Sequence, residues 1–271
     1  KAYKNTGDEA YKKILIQSAK TLVTRFNPAV GCIRSWDHNT DKWDFPVIID
    51  NMMNLEFLLW AAVETGDQSF KDIAITHAQT TIKNHFRDDN SSYHVIDYNP
   101  ETGEVENKHT HQGFAHESAW ARGQAWGLYG FTMMYRETGM TEFLIQAEKI
   151  AAYLLNKPGI KDGEIPYWDF DAPNIPDEPY DASAGAIIAA ALFDLGKISA
   201  DGKLYTEVAK NILESLSSEK FLAPVGENKG FLLLHSTGHK PHNSEVDVPI
   251  VYADYYFLES IIKRNNFEKT E

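Results

Sequence analysis

Long apolar blocks with helical spacing alternate with polar connections along this chain, and strand-like alternation is sparse. One connector recurs. Thr6-Gly7-Asp8-Glu9-Ala10-Tyr11, Thr65-Gly66-Asp67-Gln68-Ser69-Phe70 and Thr138-Gly139-Met140-Thr141-Glu142-Phe143 each set Thr-Gly ahead of an aromatic four positions after the glycine. The glycine suits a left-handed helix C-cap, the Asp or Thr that follows suits the next N-cap, and the aromatic can anchor the new helix. Ahead of the second connector, Asn54 to Val63 is almost wholly apolar, the pattern of a helix buried all round. Behind it, Ser69 to about His85 is more polar, the pattern of an outer helix. The same order recurs around Thr138, and again where Ala184 to Leu195 precedes Leu204 to Leu216, with Leu195-Gly196 as a degenerate connector. Tyr252 to Ile262 is a last apolar stretch.

Inner-then-outer hairpins bury their faces only by stacking on one another, which predicts an all-α solenoid or closed toroid. Gly7, Gly66 and Gly139 lie 59 and 73 residues apart, so long loops join the hairpins, and such loops in a compact domain are usually functional. The first connector has no inner helix ahead of it. On this reading the sequence starts part-way through a hairpin, as a single domain over residues 1–271 that lacks its first hairpins.

Composition narrows the function. With 271 residues, 43% of them hydrophobic, the chain can pack one core or at most two. No run reaches the roughly 18 consecutive apolar residues a membrane helix needs, and Lys1-Ala2-Tyr3-Lys4 carries no apolar segment of a signal peptide. A formal charge of −13 excludes nucleic acid, whose phosphates require a basic face. The same charge means that an anionic ligand needs its own pocket of Arg, His or amide donors. Cys32, between Gly31 and Ile33, excludes an internal disulfide and a multi-thiolate metal site, and reads as a small buried residue.

Three segments are polar, aromatic and unlike core. The first runs from Ile33-Arg34-Ser35-Trp36 to Phe45-Pro46-Val47-Ile48-Ile49-Asp50-Asn51-Met52-Met53-Asn54-Leu55. Asp50, opening the most apolar helix, suits an N-cap. It equally suits a carboxyl at the mouth of a barrel, where apolar neighbours raise its pKa until it can donate a proton near neutral pH. The second segment, Asp88-Asp89-Asn90-Ser91-Ser92-Tyr93-His94, has the composition of a polar loop. The third, His109 to Gly127, crowds His, Gln, Arg and two Trp ahead of a buried helix. A core helix gains nothing from Arg122 and Gln124 between tryptophans, because buried unpaired charges cost several kcal/mol. Flat aromatic faces beside bidentate donors are what an acidic sugar requires. The spacing of His109, His111 and His116 matches no standard ligand pattern and no Cys or nearby Asp completes it, so neither metal nor cofactor is expected. There is no Gly-rich phosphate loop and no Gly-x-Ser-x-Gly elbow.

In combination these segments resemble the unsaturated glucuronyl hydrolases of glycoside hydrolase family 88. The residues that carry the resemblance are Val47 to Leu55, Ser91-Ser92-Tyr93-His94, Thr110-His111-Gln112-Gly113, Ser118 to Gly127, Tyr167-Trp168-Asp169-Phe170 and Asp254-Tyr255-Tyr256. They occur in order over essentially the whole chain. The resemblance implies an (α/α)6 toroid and a substrate left by polysaccharide lyases, an oligosaccharide ending in a 4,5-unsaturated uronic acid. It implies Asp50 as general acid and base, protonating C4 and helping water add at C5, in contrast to the two carboxyls of ordinary glycosidases. It further implies that His94 and Gln112, with His111 beside them, hydrogen-bond the unsaturated ring. Trp120, Arg122 and Trp126 would bind the sugar and its carboxylate, and Trp36 would stack on or border the ring.

The chain departs from the family in two places. Nothing matches the family's earlier Asp-His-His-Asp-like segment with its further essential aspartate, and the often acidic family position is His116 here, with a structural hydrogen bond or a substituent contact as its alternatives. Rival readings are an unsaturated rhamnogalacturonyl hydrolase of related fold, disfavoured by the Ser91–His94 and Thr110–Gly113 motifs, and a toroid epimerase, which would need paired histidines around Asp50. A carbohydrate-binding scaffold without turnover is the rival of another class. A bacterial enzyme on lyase products would reside in the cytoplasm or periplasm.

Overall fold

In the computed structural model, which describes residues 2–268, glycines in left-handed conformation divide the chain into hairpins. In chain order the helices and strands are α1 (Ala2–Thr6), α2 (Glu9–Val23), β1 (Phe26–Asn27), β2 (Cys32–Ile33), β3 (Pro46–Ile48), α3 (Leu55–Thr65), α4 (Ser69–Asn84), β4 (Val95–Tyr98), β5 (Val105–His109), α5 (Ala121–Thr138), α6 (Thr141–Leu155), α7 (Ala182–Ile198), α8 (Gly202–Leu216) and α9 (Val251–Glu268). Gly66 and Gly139 cap α3 and α5 at φ +75° and +70°, each donating its backbone N–H to the carbonyl four residues back. Asp8 caps α2 through Ala10 N–H. Phe70 and Phe143 anchor α4 and α6 in the core, whereas Tyr11, their counterpart in the first connector, is exposed. The fourth connector works differently from the expectation. Gly196 lies inside α7, where a Cβ would stand 2.4 Å from Thr206 Oγ1 and 3.1 Å from the Gly202 carbonyl, so it permits close crossing of α7 and α8 and terminates nothing.

Helices α3, α5, α7 and α9 form the inner layer, α5 packing against α3 and α7, and α7 against α9. Each of α4, α6 and α8 covers the inner helix before it. Helices α5 and α7 are buried over most of their length, as their patterns predict. Helix α3 is not buried all round. Leu55, Leu58, Leu59, Ala61 and Ala62 are buried, but Val63 is 83% exposed, as are Val251, Leu258 and Ile262 of α9 to lesser degrees, because no described residue covers those faces.

The long loop after α2 and the one after α4 hold structure that the helical pattern did not predict, a three-stranded antiparallel sheet in the order β3-β4-β5. Its register pairs Ile48 with Val95 and Val95 with His109. Buried Asp97 fastens the sheet's outer end by accepting the backbone N–H groups of Asp44 and Phe45. Two buried histidines brace the first loop, His77 accepting Ile33 N–H and His85 contacting the Val47 carbonyl, and burial holds both far below the usual histidine range, at about 3 and about 4. Cys32 is buried beside Thr80, and burial pushes its thiol up, away from reactivity.

Between β3 and α3 the chain makes a 3-10 turn, Ile49–Asn54. It lies on a glycine face of α5. Gly123, Gly127 and Gly130 recur at helical spacing, and a Cβ on Gly130 would fall 2.5 Å from Met52 Cβ. Asn51 ties the same turn to β2 by donating to the Ile33 carbonyl. Gly130→Ala gains about 1 kcal/mol of helix propensity but forces this contact apart, at about 1–3 kcal/mol for overpacking. The variant is expected to unfold at a lower denaturant midpoint than the parent, and an unchanged or higher midpoint would show that the turn does not depend on the glycine face.

Candidate active site

The sheet ends where the candidate residues begin. Ile49 N–H donates to the His94 carbonyl, extending the β3–β4 ladder by one pair, so Asp50 and His94 emerge side by side. Asp50 is not the cap of α3: Asn54 holds that position, and Asp50 lies in the first turn of the 3-10 segment with its Oδ2 buried and unpaired. Although 24% of the side chain is exposed, the buried oxygen dominates. Desolvation pushes the Asp50 carboxyl up from 3.8 to about 6, opposed by the Arg122 charge, by its own backbone N–H and by the Trp126 indole.

His94 faces it. The backbone N–H groups of His111 and Gln112 both donate to His94 Nδ1 at 3.1 Å, and burial, reinforced by His111 and Arg122, keeps the ring neutral. A neutral imidazole that accepts at Nδ1 carries its proton at Nε2. That Nε2–H is buried without a partner, 3.8 Å from Asp50 Oδ2. Two complementary groups thus stand just beyond hydrogen-bond distance, both shut from water. Unpaired buried polar atoms are costly and persist where a ligand completes them.

Other candidates divide into those around this opening and those beneath it. Trp36 lies 5.7 Å from the His111 ring with its indole N–H buried and unpaired, and His111 stands 6.5 Å from His94. Gln112 donates to the Gly238 carbonyl. Trp120 lies beneath, 2% exposed, its ring tilted by 36° against His94 at 4.4 Å, with the Arg122 guanidinium 4.6 Å from the centre of the indole. Trp126 is packed edge-on against Tyr256.

Arg122 differs most from the expectation. It is 2% exposed, and its Nη atoms donate to Asp181 at 2.6 Å, to the Thr237 carbonyl at 2.6 Å and to the Gly238 carbonyl at 2.7 Å. Those donors are engaged within the protein. What Arg122 offers the opening is its field at Asp50 and its grip on the 237–238 backbone.

Supporting polar residues fix the loops. Gln124 clamps Ser92, accepting its backbone N–H and donating to its hydroxyl and carbonyl, just before His94. Buried Asp169 accepts Phe114 N–H and the Ser118 hydroxyl, holding the loop that carries His111. His116 accepts Thr110 N–H and packs edge-on against His109, the structural hydrogen bond that was one of its two alternatives. His111 turns away from both and toward His239 and His242, at 4.7 and 5.3 Å. Sequence reasoning missed this pair and the small sheet. The run His235-Ser236-Thr237-Gly238-His239-Lys240-Pro241-His242 was the available signal.

An acid with a buried carboxylate oxygen thus faces a donor-lined opening at the end of a stack of α/α hairpins. The chain belongs to glycoside hydrolase family 88, whose family model matches residues 1–269. It is 49% identical over 259 residues to an unsaturated glucuronyl hydrolase of Formosa agariphila, covering 96% of this chain and 64% of that protein. It is 32% identical over 261 residues to an unsaturated glucuronyl hydrolase of Bacillus sp. strain GL1, covering 94% and 68%. The crystal structure of an unsaturated glucuronyl hydrolase specific for heparin superposes with a TM-score of 0.96 at 52% identity, covering 99% of this chain and 72% of that one. The chain therefore spans somewhat less than two thirds of the Formosa relative's length.

Two outcomes test this geometry. Because Asp50 binds its proton more tightly folded than unfolded, the charged carboxylate costs the fold stability as pH rises from about 4 through about 6, and the cost is constant above. The displacement corresponds to about 3 kcal/mol. Asp50→Asn should thus be more stable than the parent at pH 7.5, with the gain vanishing below about pH 4 in denaturant titrations. Equal stability at both pH values would mean that Asp50 is well solvated. Removing the cation from the buried Arg122–Asp181 pair, as in Arg122→Met, should cost about 3–5 kcal/mol. Full stability with weakened sugar binding would instead make Arg122 a ligand contact.

Proposed function

We propose that this protein removes a 4,5-unsaturated uronic acid from the non-reducing end of lyase-generated oligosaccharides by hydrating the C4=C5 bond. The observation that carries this reading is the Asp50 carboxyl, whose Oδ2 is buried and unpaired and whose pKa is raised to about 6, so that a protonated fraction persists toward neutral pH opposite a neutral His94 donor. Hydration of a vinyl ether needs an acid that can give a proton and take one back, which the raised pKa of Asp50 allows.

The protonated Asp50 delivers its proton to C4, and the developing positive charge is shared between C5 and the ring oxygen. Water adds at C5 and returns a proton to the Asp50 carboxylate, leaving a C5 hemiketal. The hemiketal opens to a C5 ketone, the freed ring oxygen becomes a hydroxyl on C1, and the resulting C1 hemiacetal expels the rest of the chain as an alcohol. His94 Nε2–H and the Trp36 indole N–H are the unpaired donors for ring hydroxyls or the carboxylate, with Gln112 and His111 beside them. Trp120 and Arg122 act beneath the ring, by holding His94 and the 237–238 loop.

Comparisons support the substrate class. The Formosa and Bacillus proteins are named unsaturated glucuronyl hydrolases, and a Streptococcus agalactiae relative is known in complex with dGlcA-GalNAc6S. Among the described residues no helix is long and apolar enough to cross a membrane, and we place the reaction in the bacterial cytoplasm or periplasm, where lyase products accumulate.

Unsaturated chondroitin and heparin disaccharides should lose the ultraviolet absorbance of their conjugated double bond when the protein is added. Activity should fall as pH rises above about 6, since the reaction starts from protonated Asp50. Asp50→Asn should abolish turnover. Binding of these disaccharides without any loss of absorbance would identify a carbohydrate-binding scaffold, and full activity in Asp50→Asn would remove Asp50 from the chemistry.

A further inference from the structure

A second cluster of chemistry lies on the rim of this opening. His111, from the loop after β5, meets His239 and His242 from the loop before α9, and one ring nitrogen of each lies within 4.8 Å of the others. The His239 and His242 rings are stacked at 4.0 Å, and His111 approaches both edge-on. Neither ring nitrogen of His239 has a hydrogen-bond partner, and both are shut from solvent. A neutral imidazole always holds one N–H and one lone pair, so leaving both unpaired in a buried place is unfavourable unless something fills the space between the rings.

The backbone under these rings is fixed before any ligand arrives. His111 N–H is held by His94 Nδ1. The Gly238 carbonyl accepts from both Arg122 and Gln112, Gly238 N–H donates to the Glu245 carbonyl, and His239 and Ser244 exchange backbone hydrogen bonds. Pro241 stiffens the 3-10 turn Lys240–His242, and Asn243 closes it in left-handed conformation. Loops so constrained present their side chains in a restricted set of positions, which lowers the ordering cost of binding.

We propose that His111, His239 and His242 form a binding site for one divalent transition-metal ion, of the zinc class, that joins the two loops at the mouth of the Asp50 opening. Three imidazoles with a fourth position open are a ligand set that zinc accepts. Zinc–nitrogen bonds of about 2.0–2.1 Å place donors roughly 3.4 Å apart in a tetrahedron, so side-chain rotation must draw the rings in by about an ångström. The net charge of −13 favours a cation over the whole surface. Lys42, felt at His111, and Arg122, felt at His239, oppose it locally, so soft imidazole ligation rather than bulk charge must provide the affinity. Calcium and magnesium, which require oxygen ligands, should be rejected.

Calorimetric titration of the metal-stripped protein with Zn²⁺, without sugar, tests this apart from the hydrolase reading. One equivalent should bind, Mg²⁺ should not compete, and Zn²⁺ should raise the thermal transition. His242→Gln changes an exposed side chain and should fold and hydrolyse normally in chelator. It should nonetheless weaken Zn²⁺ binding by at least about tenfold, and His239→Gln with His242→Gln together should remove the stoichiometric site. Absence of saturable binding would overturn the proposal. So would binding of equal strength in the double variant, which would place the ion elsewhere, for example at the His109–His116 pair.

Discussion

Removal of one carboxylate oxygen from water governs this structure. Asp50 Oδ2 is buried without a hydrogen bond, and in that position the charged form loses solvation that nothing in the protein fully replaces. Arg122, the Trp126 indole and the Asp50 backbone N–H draw the carboxyl back toward ionisation. None of them outweighs desolvation. The result is an acid poised between its two protonation states near neutral pH, the condition under which one group can serve first as donor and then as acceptor.

Much of the fold serves to hold that position. The glycine face of α5 lets the 3-10 turn approach closely enough to seat Ile49 and Met52 in the core with Asp50 turned to the opening. The β3–β4 ladder sets His94 beside it, and the two backbone N–H groups after β5 fix the His94 tautomer. Arg122 is central in a different way. Its charge is compensated by Asp181 and two carbonyls, so it acts as a rigid buried strut whose field reaches Asp50 while its donors stay occupied.

Helical hairpins were legible from the chain because Thr-Gly connectors and blocks of apolar residues are local signals, as at Gly66–Phe70 and Gly139–Phe143. Asp50, His94, His111 and Gln112 were legible through resemblance to family 88, and the structure brings these four to one place. The three-stranded sheet was not. Its strands are three to five residues long and come from loops 47 residues apart at Ile48 and Val95, so their pairing is a long-range fact that no local period encodes. The fates of Trp120 and Arg122 were hidden for a similar reason. Arg122 bonds to Asp181, Thr237 and Gly238, partners 59 to 116 residues away, and a polar residue in an apolar run looks the same whether it meets a ligand or a distant carbonyl. His239 and His242 went unread because they join His111 only after the fold has closed over the sheet.

Direct titration of the Asp50 carboxyl carbon by NMR, in protein labelled with ¹³C at aspartate and assigned by the Asp50→Asn variant, measures the governing quantity without reference to any substrate. The account predicts a midpoint near 6, moving higher when the positive charge of Arg122 is removed in a variant that stays folded. A midpoint near the ordinary 3.8, unmoved by loss of Arg122, would contradict it.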